Sequence, residues 1–540
     1  MYISIETAKN LDLDYIFNNL TVYTPYGEAY KKAMKPYNSN EKKRIEQEYE
    51  RIEVVSELIE GQRYDFVEMR NLFKHIKDLR LTFTRVKEGE ILSTTELFEI
   101  KFFINILKRI DINLKKLKWE IPEDIRPIQI PHLERLFDPQ GTETNTFYIY
   151  DEYSKRLGKI RKDLREIENK IQKKRKDLRK KVETDLNVRL RSNGEITVNK
   201  DNIDIINKFK DYEFLNYSVE TYMNITFKTI NTLDIDNLSR ELQELKVLEA
   251  EEELKVRRTL SEEIKKYHGS IEKNICALGK LDLLVAKGYH AVGFKCVKPK
   301  IIDSKGLYIL NGRNIKVEQS LRKSDREFTP ITVELHRGVT CITGANMGGK
   351  TVSLKTIGFL LAMAQYGMFV PAEEMRLSLK EFIFLSVGDM QSTDKGLSTF
   401  GGEILKIKEA IKESDKEGLI LIDELARGTN PKEGYALSKA IINYLKYKET
   451  ITVITTHFDG LADEKDIKHL QVRGLSLEDF KTISQKIKEE KQGIEMLHHY
   501  MDYRLIEISD IKEVPKDAIN ISRLMGLDEE ILRDAESILK

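Results

Sequence analysis

Residues 344–351 form the segment of this sequence whose composition is best suited to chemistry. They fit the pattern G-x-x-x-x-G-K-[ST], they follow the apolar run 339–343, and a helical stretch follows them at 352–363. In such a loop the backbone N–H groups turn toward phosphate oxygens, and the positive end of the following helix adds to the attraction. We therefore predict that this loop binds the phosphates of ATP.

The side chains of the loop have separate roles in this hypothesis. Lys350 supplies a positive charge to the β- and γ-phosphates, and Thr351 offers a hydroxyl group to Mg²⁺. ATP and Mg²⁺ are therefore the predicted cofactors. The predicted nucleotide-binding residues of the loop are Gly344, Asn346, Met347, Gly348, Gly349, Lys350 and Thr351.

A second apolar run, at 419–422, ends in two carboxylates, Asp423 and Glu424, which is the Walker B pattern. We predict that Asp423 holds Mg²⁺, directly or through water, and that Glu424 polarises the attacking water as general base. The spacing between Lys350 and Asp423 leaves room for two helices and a strand, which suits a single P-loop domain.

Two other polar positions allow both a catalytic and a structural interpretation. His457 follows a third apolar run at 451–455, where it could sense the γ-phosphate or the water, although a histidine at a strand end is more often structural. Ser398 lies between the two motifs, where it or Thr399 could simply cap the following helix.

The composition limits the class of protein. A chain of 540 residues should hold two to four domains, and a net charge of +1 gives no global basic field for nucleic acid. The three cysteines are too few and too scattered for a disulfide framework or a zinc site. No apolar run approaches the roughly 20 residues needed to cross a bilayer, and the N-terminus has no secretory signal. We expect a cytoplasmic protein without a membrane partner.

The chain is predicted to contain three parts: a helical core or lever domain at 1–150, an arm with a small clamp tip at 151–285, and an ATPase domain at 286–540. In the arm, a heptad seam predicts a helix that needs a partner, which we expect to return antiparallel. The seam consists of Leu157, Ile160, Leu164, Ile167, Ile171 and Leu178.

From about residue 293, strand-like runs alternate with helical stretches, which is typical of a mostly parallel α/β sheet. The predicted fold is therefore multidomain. An α-helical core with a long antiparallel coiled-coil arm, which forms a clamp, is followed by an α/β P-loop ATPase domain of the ABC type.

Taken in order, the motifs of residues 281–540 resemble the ATPase domain of the MutS family. The run 343–351 resembles the family's P-loop, with Ala345 where the family usually has proline. The other resembling segments are the next motif at 366–372, the Walker B block at 421–429, the switch histidine at 455–457 and the closing helical segment at 519–531.

The resemblance implies further roles at two positions. Ser398, in the run 397–400 with Glu403, is similar to the signature that reaches the γ-phosphate of the opposing subunit. Phe328 is in the position where the family has an aromatic residue stacked on adenine, although it could also be an ordinary half-buried residue at the edge of a strand.

The same resemblance implies a dimer, either a homodimer or a heterodimer with a MutS-like paralogue, whose ATP sites combine residues of both chains. Closing the dimer would complete the charge stabilisation around the γ-phosphate, and hydrolysis would remove that contact and drive the arms.

Weaker similarity extends upstream, where residues 24–27 resemble the start of the MutS core domain. The mismatch-sensing and connector domains of repair MutS are then expected to be missing. Runs such as 349–355 and 428–434 resemble the second bacterial MutS paralogue group, which usually carries a nuclease-like Smr domain. Since this sequence stops after the ATPase domain, we do not expect nuclease activity.

The partner held by the arms is open at this stage. A basic run on the arm could neutralise the phosphates of a duplex without reading bases, or it could be a solvated helix face. The candidate partners are branched or mismatched double-stranded DNA, a protein client such as an adenosylcobalamin-dependent aminomutase awaiting reactivation, and a ribosome. The basic run comprises Lys173, Lys174, Arg175, Lys176, Arg179, Lys180 and Lys181.

Overall fold

The structure, a computed structural model, divides the chain into two compact units, each discontinuous in sequence. The first unit comprises Met1–His75, Ile112–Arg126 and Ile275–Lys540, and the second comprises Ile76–Asp111 and Pro127–Asn274. The division into three consecutive domains stays a prediction. The residues that the structure describes are 2–117, 119–344, 349–387, 399–426, 429–458, 460–462, 466–474, 501–508, 519, 522–523 and 527–538.

The described residues form a helix-rich chain with three β-sheets. The helices are α1 (Ile5–Asn10), α2 (Leu13–Asn19), α3 (Pro25–Lys32), α4 (Lys42–Gly61), α5 (Arg63–Phe73), α6 (Arg80–Glu88), α7 (Thr94–Lys116), α8 (Pro131–Phe137), α9 (Lys155–Leu186), α10 (Ile203–Lys210), α11 (Leu233–Lys266), α12 (His268–Gly293), α13 (Ile315–Arg322), α14 (Lys350–Gln365), α15 (Thr399–Lys412), α16 (Pro431–Leu445) and α17 (Glu529–Ile538). The strands are β1 (Glu195–Asn199), β2 (Leu215–Glu220), β3 (Asn224–Thr229), β4 (Lys300–Ile301), β5 (Gly306–Gly312), β6 (Ile331–His336), β7 (Gly338–Thr343), β8 (Glu374–Leu377), β9 (Phe382–Ser386), β10 (Gly418–Ile422), β11 (Ile451–Thr455), β12 (Lys468–Gly474) and β13 (Asp502–Glu507). None of the described helices is long and apolar enough to span a bilayer.

Two long helices of the second unit, α9 and α11, lie side by side in opposite directions. Arg161 donates hydrogen bonds to Glu249 and Glu253, whereas Lys174, farther along α9, pairs with Asp234 near the start of α11. The apolar seam residues of α9 are all buried, because a partner helix covers the stripe that their three- and four-residue spacing creates.

Between these helices the chain forms a small tip. Its antiparallel sheet has the order β1-β3-β2, and α10 covers one face through an edge-to-face contact between Phe209 and Phe227. Both aromatic side chains are almost fully buried, so they form the centre of the apolar core of the tip.

The sheet that carries the predicted nucleotide motifs lies in the first unit and has the order β13-β12-β7-β11-β10-β9. Its first five strands in chain order, β7 and β9 to β12, are parallel, and β13 is antiparallel. The three predicted apolar runs are β7, β10 and β11, and nearly all their residues are buried because helices cover the sheet. A smaller sheet in the same unit has the order β4-β8-β5-β6.

The amino-terminal segment belongs to the same unit as this sheet and extends its edge at β9. The backbone N–H of Ile383 donates to the Tyr2 carbonyl at 2.8 Å. On α14, a Cβ at Gly358 would lie 2.6 Å from Leu421 of β10 and 2.7 Å from Leu11. The close approach that glycine permits therefore sets how α14 lies on the strand that precedes Asp423.

Candidate nucleotide site

The carboxyl ends of β7, β11 and β10 meet at one edge of the six-stranded sheet, because the three strands are parallel neighbours. The glycine-rich loop follows β7, the two Walker B carboxylates follow β10, and His457 follows β11. The carboxyl edge of a parallel sheet is where α/β proteins usually bind ligands. Strand order thus brings together segments that are distant in sequence.

Lys350 is the first residue of α14 and is only 3% exposed. Its Nζ donates to the Gly344 carbonyl oxygen at 2.6 Å and lies 3.4 Å from Nδ1 of His457. The ammonium group therefore lies between Gly344, at the start of the glycine-rich loop, and His457, which follows β11. This is the position from which a lysine could contact the phosphates of a bound nucleotide.

The two described glycines of the loop adopt conformations that favour glycine. Gly344 has φ 126° and Gly349 has φ 81°. A Cβ at Gly349 would lie 3.1 Å from the ring of Tyr503, and a Cβ at Gly344 would lie 3.1 Å from Val472. The predicted site residues Asn346, Met347, Gly348 and Ser398 lie outside the described residues.

Asp423 is held by hydroxyl groups from two other elements. Thr351 at the start of α14 donates to one carboxylate oxygen at 2.8 Å, and Thr455 at the end of β11 donates to the other at 2.6 Å. The Asp423 backbone N–H donates to the Ser386 carbonyl at 2.8 Å, and the side chain is buried. The two predicted Mg²⁺ ligands, Thr351 and Asp423, are thus in direct contact.

This pair of oxygens suits Mg²⁺, which is usually held by one or two protein groups together with waters and substrate phosphates. Within the described part of the chain, no cluster of three or more His, Cys, Asp or Glu side chains could hold a metal ion.

Glu424, the predicted general base, forms a hydrogen-bonded pair with His457. Nε2 of His457 contacts the Glu424 carboxylate, while Nδ1 of the same ring faces Lys350. The Glu424 backbone has φ 53°, which is unusual for a residue with a side chain, and its N–H donates to the Thr455 hydroxyl at 2.8 Å. His457 therefore lies between the predicted base and Lys350, a contact that the sequence did not reveal.

The predicted adenine contact, Phe328, is half-buried in the segment between α13 and β6. Arg326, two residues earlier, is near Tyr503, whose ring lies against Gly349. Burial raises the pKa of the Tyr503 phenol, and the Arg326 charge lowers it. The segment that contains Phe328 thus approaches the glycine-rich loop, and the role of Phe328 itself stays a prediction.

Comparisons with known proteins identify the family. MutS domain V matches residues 340–540. A protein of Geobacillus sp. (strain WCH70) named Endonuclease MutS2 is 30% identical over 72% of this chain and 49% of the relative. A protein of the same name from Caldicellulosiruptor saccharolyticus is 27% identical over 98% of this chain and 69% of the relative. The chain belongs to the MutS family.

The family predicted from the motifs is therefore confirmed for this MutS chain. The chain spans about half the length of the curated relatives it matches, with 49% of the Geobacillus protein and 56% of the Endonuclease MutS2 of Caldanaerobacter subterraneus covered. The helix-rich architecture with α/β sheets agrees with the multidomain part of the predicted fold class, whereas the coiled-coil clamp and the ABC-type P-loop domain stay predictions.

Two residues of this MutS site were not identified as functional in the sequence. Thr455 bridges Asp423 and the Glu424 backbone, and its only sequence signal is its place at the end of an apolar run. Tyr503 covers Gly349 from β13, but it is more than 150 positions away from that glycine and no motif marks it. Both contacts depend on strand order.

The Thr455 bridge predicts a specific loss of stability in Thr455→Val. The change preserves side-chain shape but removes one of the two hydroxyl donors to the Asp423 carboxylate and the acceptor of the Glu424 N–H, so the free energy of unfolding should fall by about 1–3 kcal/mol. Urea denaturation measures this. Thr452→Val is the matched control, because Thr452 is equally buried on β11 and its hydroxyl contacts only the Thr450 hydroxyl at 3.4 Å among described residues. Equal effects of the two substitutions would refute the bridge.

Proposed function

We propose that this chain is a Mg²⁺-dependent ATPase of the MutS type. The observation that carries the proposal is the contact of Thr351 and Thr455 with Asp423 at the sheet edge where Lys350 crosses the glycine-rich loop. These groups supply a cation for phosphate oxygens and an oxygen pair for Mg²⁺. Membership of the MutS family supports the same activity.

In the proposed reaction, Lys350 and the loop N–H groups would hold the β- and γ-phosphates. Thr351 and Asp423 would hold Mg²⁺, which would supply positive charge to the phosphates. Glu424 orients a water molecule and accepts its proton. His457 contacts the Glu424 carboxylate and faces Lys350, so it is positioned to respond to the loss of the γ-phosphate.

Two substitutions separate nucleotide binding from hydrolysis. Lys350→Ala should abolish tight ATP binding, because the phosphates lose their principal point charge. Glu424→Gln should bind ATP with near-normal affinity and hydrolyse it about 10²- to 10⁴-fold more slowly, because the general base is gone. Equilibrium binding of a fluorescent ATP analogue and phosphate release measure the two effects.

Glu433→Gln is the matched control for the second substitution, since Glu433 is an exposed glutamate at the start of α16. It should leave turnover unchanged. Near-normal hydrolysis by Glu424→Gln would remove Glu424 from the reaction.

We also propose that two copies, or one copy and a MutS-like paralogue, form the working dimer. Each site would then receive Ser398 from the opposing chain, as the MutS resemblance implies. Binding of ATP between the chains and its hydrolysis would alternate two arrangements of the arms, because a ligand shifts an equilibrium through unequal binding to two states.

For the arms we propose a clamp that holds branched or mismatched double-stranded DNA. The coiled pair α9 and α11 would form it, and the basic run of α9 would contact the phosphate backbone. Within the described residues, Lys174 pairs with Asp234 and Lys181 lies over the Phe214 ring. The cations that are exposed and form no ion pair among the described residues are Lys173, Arg175, Lys176 and Lys180.

Removing these charges should weaken binding to duplex and junction DNA. Lys173→Gln, Lys176→Gln and Lys180→Gln together should reduce affinity and flatten the slope of log affinity against log salt by roughly two to three, because each phosphate contact contributes about 0.9 to that slope. Fluorescence anisotropy over a salt series is the measurement.

The control variant removes three lysines elsewhere on the same helix, Lys159, Lys162 and Lys170. It should leave the slope near the wild-type value. If both triple variants bind DNA alike, the basic run is a solvated face and the clamp hypothesis fails.

A protein client is the alternative partner, and one observation favours it. The distal end of the tip exposes apolar side chains, with Tyr222 95%, Met223 59% and Ile203 65% exposed. Exposed apolar groups of this kind often mark contacts with protein. ATP-dependent retention of an aminomutase or of ribosomes by the purified chain, without affinity for any duplex, would favour this alternative.

A further inference from the structure

The loop that carries the proposed base contains two residues in a conformation that side chains disfavour. Glu424 has φ 53° and Ala426 has φ 61°, both in the left-handed region. A residue with a Cβ has a higher free energy in this region, so contacts with the surrounding structure must hold its backbone there.

Each of the two strained residues is fixed by one side-chain acceptor from another element. The Glu424 N–H donates to Oγ1 of Thr455 at 2.8 Å, and the Ala426 N–H donates to Oε1 of Glu403 at 3.0 Å. Thr455 extends from the end of β11, whereas Glu403 extends from the second turn of α15. The two acceptors therefore tie the loop to two different elements.

The half-buried position of the Glu403 carboxylate costs free energy. Burial raises the pKa of its carboxyl group, although the Ala426 N–H and the Lys406 charge both lower it. A half-buried carboxylate in this position is costly unless it is hydrogen-bonded, and the Ala426 N–H is the donor that compensates it. The apolar side of the same helix also reaches the loop, since Phe400 packs against the cluster that includes Leu425 and Ala426.

The position of α15 in the chain connects these contacts to the proposed dimer interface. The helix begins at Thr399, directly after Ser398. In the proposed dimer Ser398 would reach the γ-phosphate of the opposing chain, which would place the first turns of α15 between that phosphate and the loop of their own chain. A shift of α15 would change the support of Ala426 through both Glu403 and Phe400.

We propose that Glu403 is a positioning residue that couples the partner-facing end of α15 to the general base of its own chain. When the opposing nucleotide engages that end of the helix, the carboxylate fixes the Ala426 N–H and keeps Glu424 aligned with the water. This inference rests on the proposed ATPase function and its dimer.

Three variants test the hydrogen bond. Glu403→Ala should lower kcat about 10- to 100-fold with KM for ATP within about threefold of wild type, because Lys350 and the phosphate loop are untouched. Glu403→Gln keeps an acceptor oxygen and should restore kcat to within about threefold. Glu409→Ala, an exposed glutamate on the same helix, is the control and should not change kcat. Unchanged kcat in Glu403→Ala, or equal loss in Glu403→Gln, would overturn the role assigned to the bond.

A second-site change separates positioning from simple misfolding. Glycine adopts φ > 0 without steric cost, so Glu403→Ala combined with Ala426→Gly should recover at least about threefold of the lost kcat. The recovery should occur without a change in KM. No recovery in the double variant, with correctly folded protein by circular dichroism, would overturn the proposal that strain at Ala426 is what Glu403 opposes.

Tagged heterodimers establish which site Glu403 serves. A Glu403→Ala chain paired with a Glu424→Gln chain should keep at most about a twentieth of the wild-type activity, whereas a Glu403→Ala/Glu424→Gln chain paired with wild type should keep about half. Half activity in the first pairing would overturn action within one chain. Absence of Mg²⁺-dependent turnover in wild type would contradict the proposed function itself, whereas wild-type turnover with normal Glu403→Ala contradicts this inference alone.

Discussion

The site depends on one interaction, in which the Asp423 carboxylate accepts hydrogen bonds from the hydroxyl groups of Thr351 and Thr455. It joins the start of α14, the end of β10 and the end of β11. Each of these elements also positions one residue of the predicted site: Lys350 begins α14, Glu424 follows β10 and His457 follows β11. Because a buried carboxylate without partners is costly, this contact ties the three elements together, and its oxygens suit the Mg²⁺ that we propose for this site.

The parallel sheet positions the segments of the site, and two hydrogen bonds hold the backbone of the loop after β10. Glu424 and Ala426 have disfavoured backbone angles, and Thr455 and Glu403 accept hydrogen bonds from their N–H groups. A loop stabilised in this way changes conformation if either anchor moves. In the proposed dimer, such a dependence would make hydrolysis wait for the second chain, since a base that was always aligned would hydrolyse ATP without regard to the partner.

Much of the site could be predicted because it consists of local patterns. The apolar runs that became β7, β10 and β11 and the residues directly after them are legible in the sequence, and so is the heptad seam of α9. Contacts between residues that meet because of the order of the strands in the sheet could not be predicted from the sequence. Thr455 and Tyr503 reach the site because β11 lies between β7 and β10 and because β13 follows β12, and no spacing in the chain encodes that order. The compact units also combine segments that are distant in sequence, so Met1–His75 belongs to the same unit as the six-stranded sheet.

The most direct test of the central claim is the coupling between Mg²⁺ and ATP binding. Isothermal titration of the full chain with ATP, with and without Mg²⁺, should give an affinity at least about tenfold higher with the metal, and Asp423→Asn should remove that difference. Asp415→Asn, an exposed aspartate that pairs with Lys448, should leave it intact. Equal ATP affinity with and without Mg²⁺ in the wild type, or full coupling in Asp423→Asn, would contradict the account.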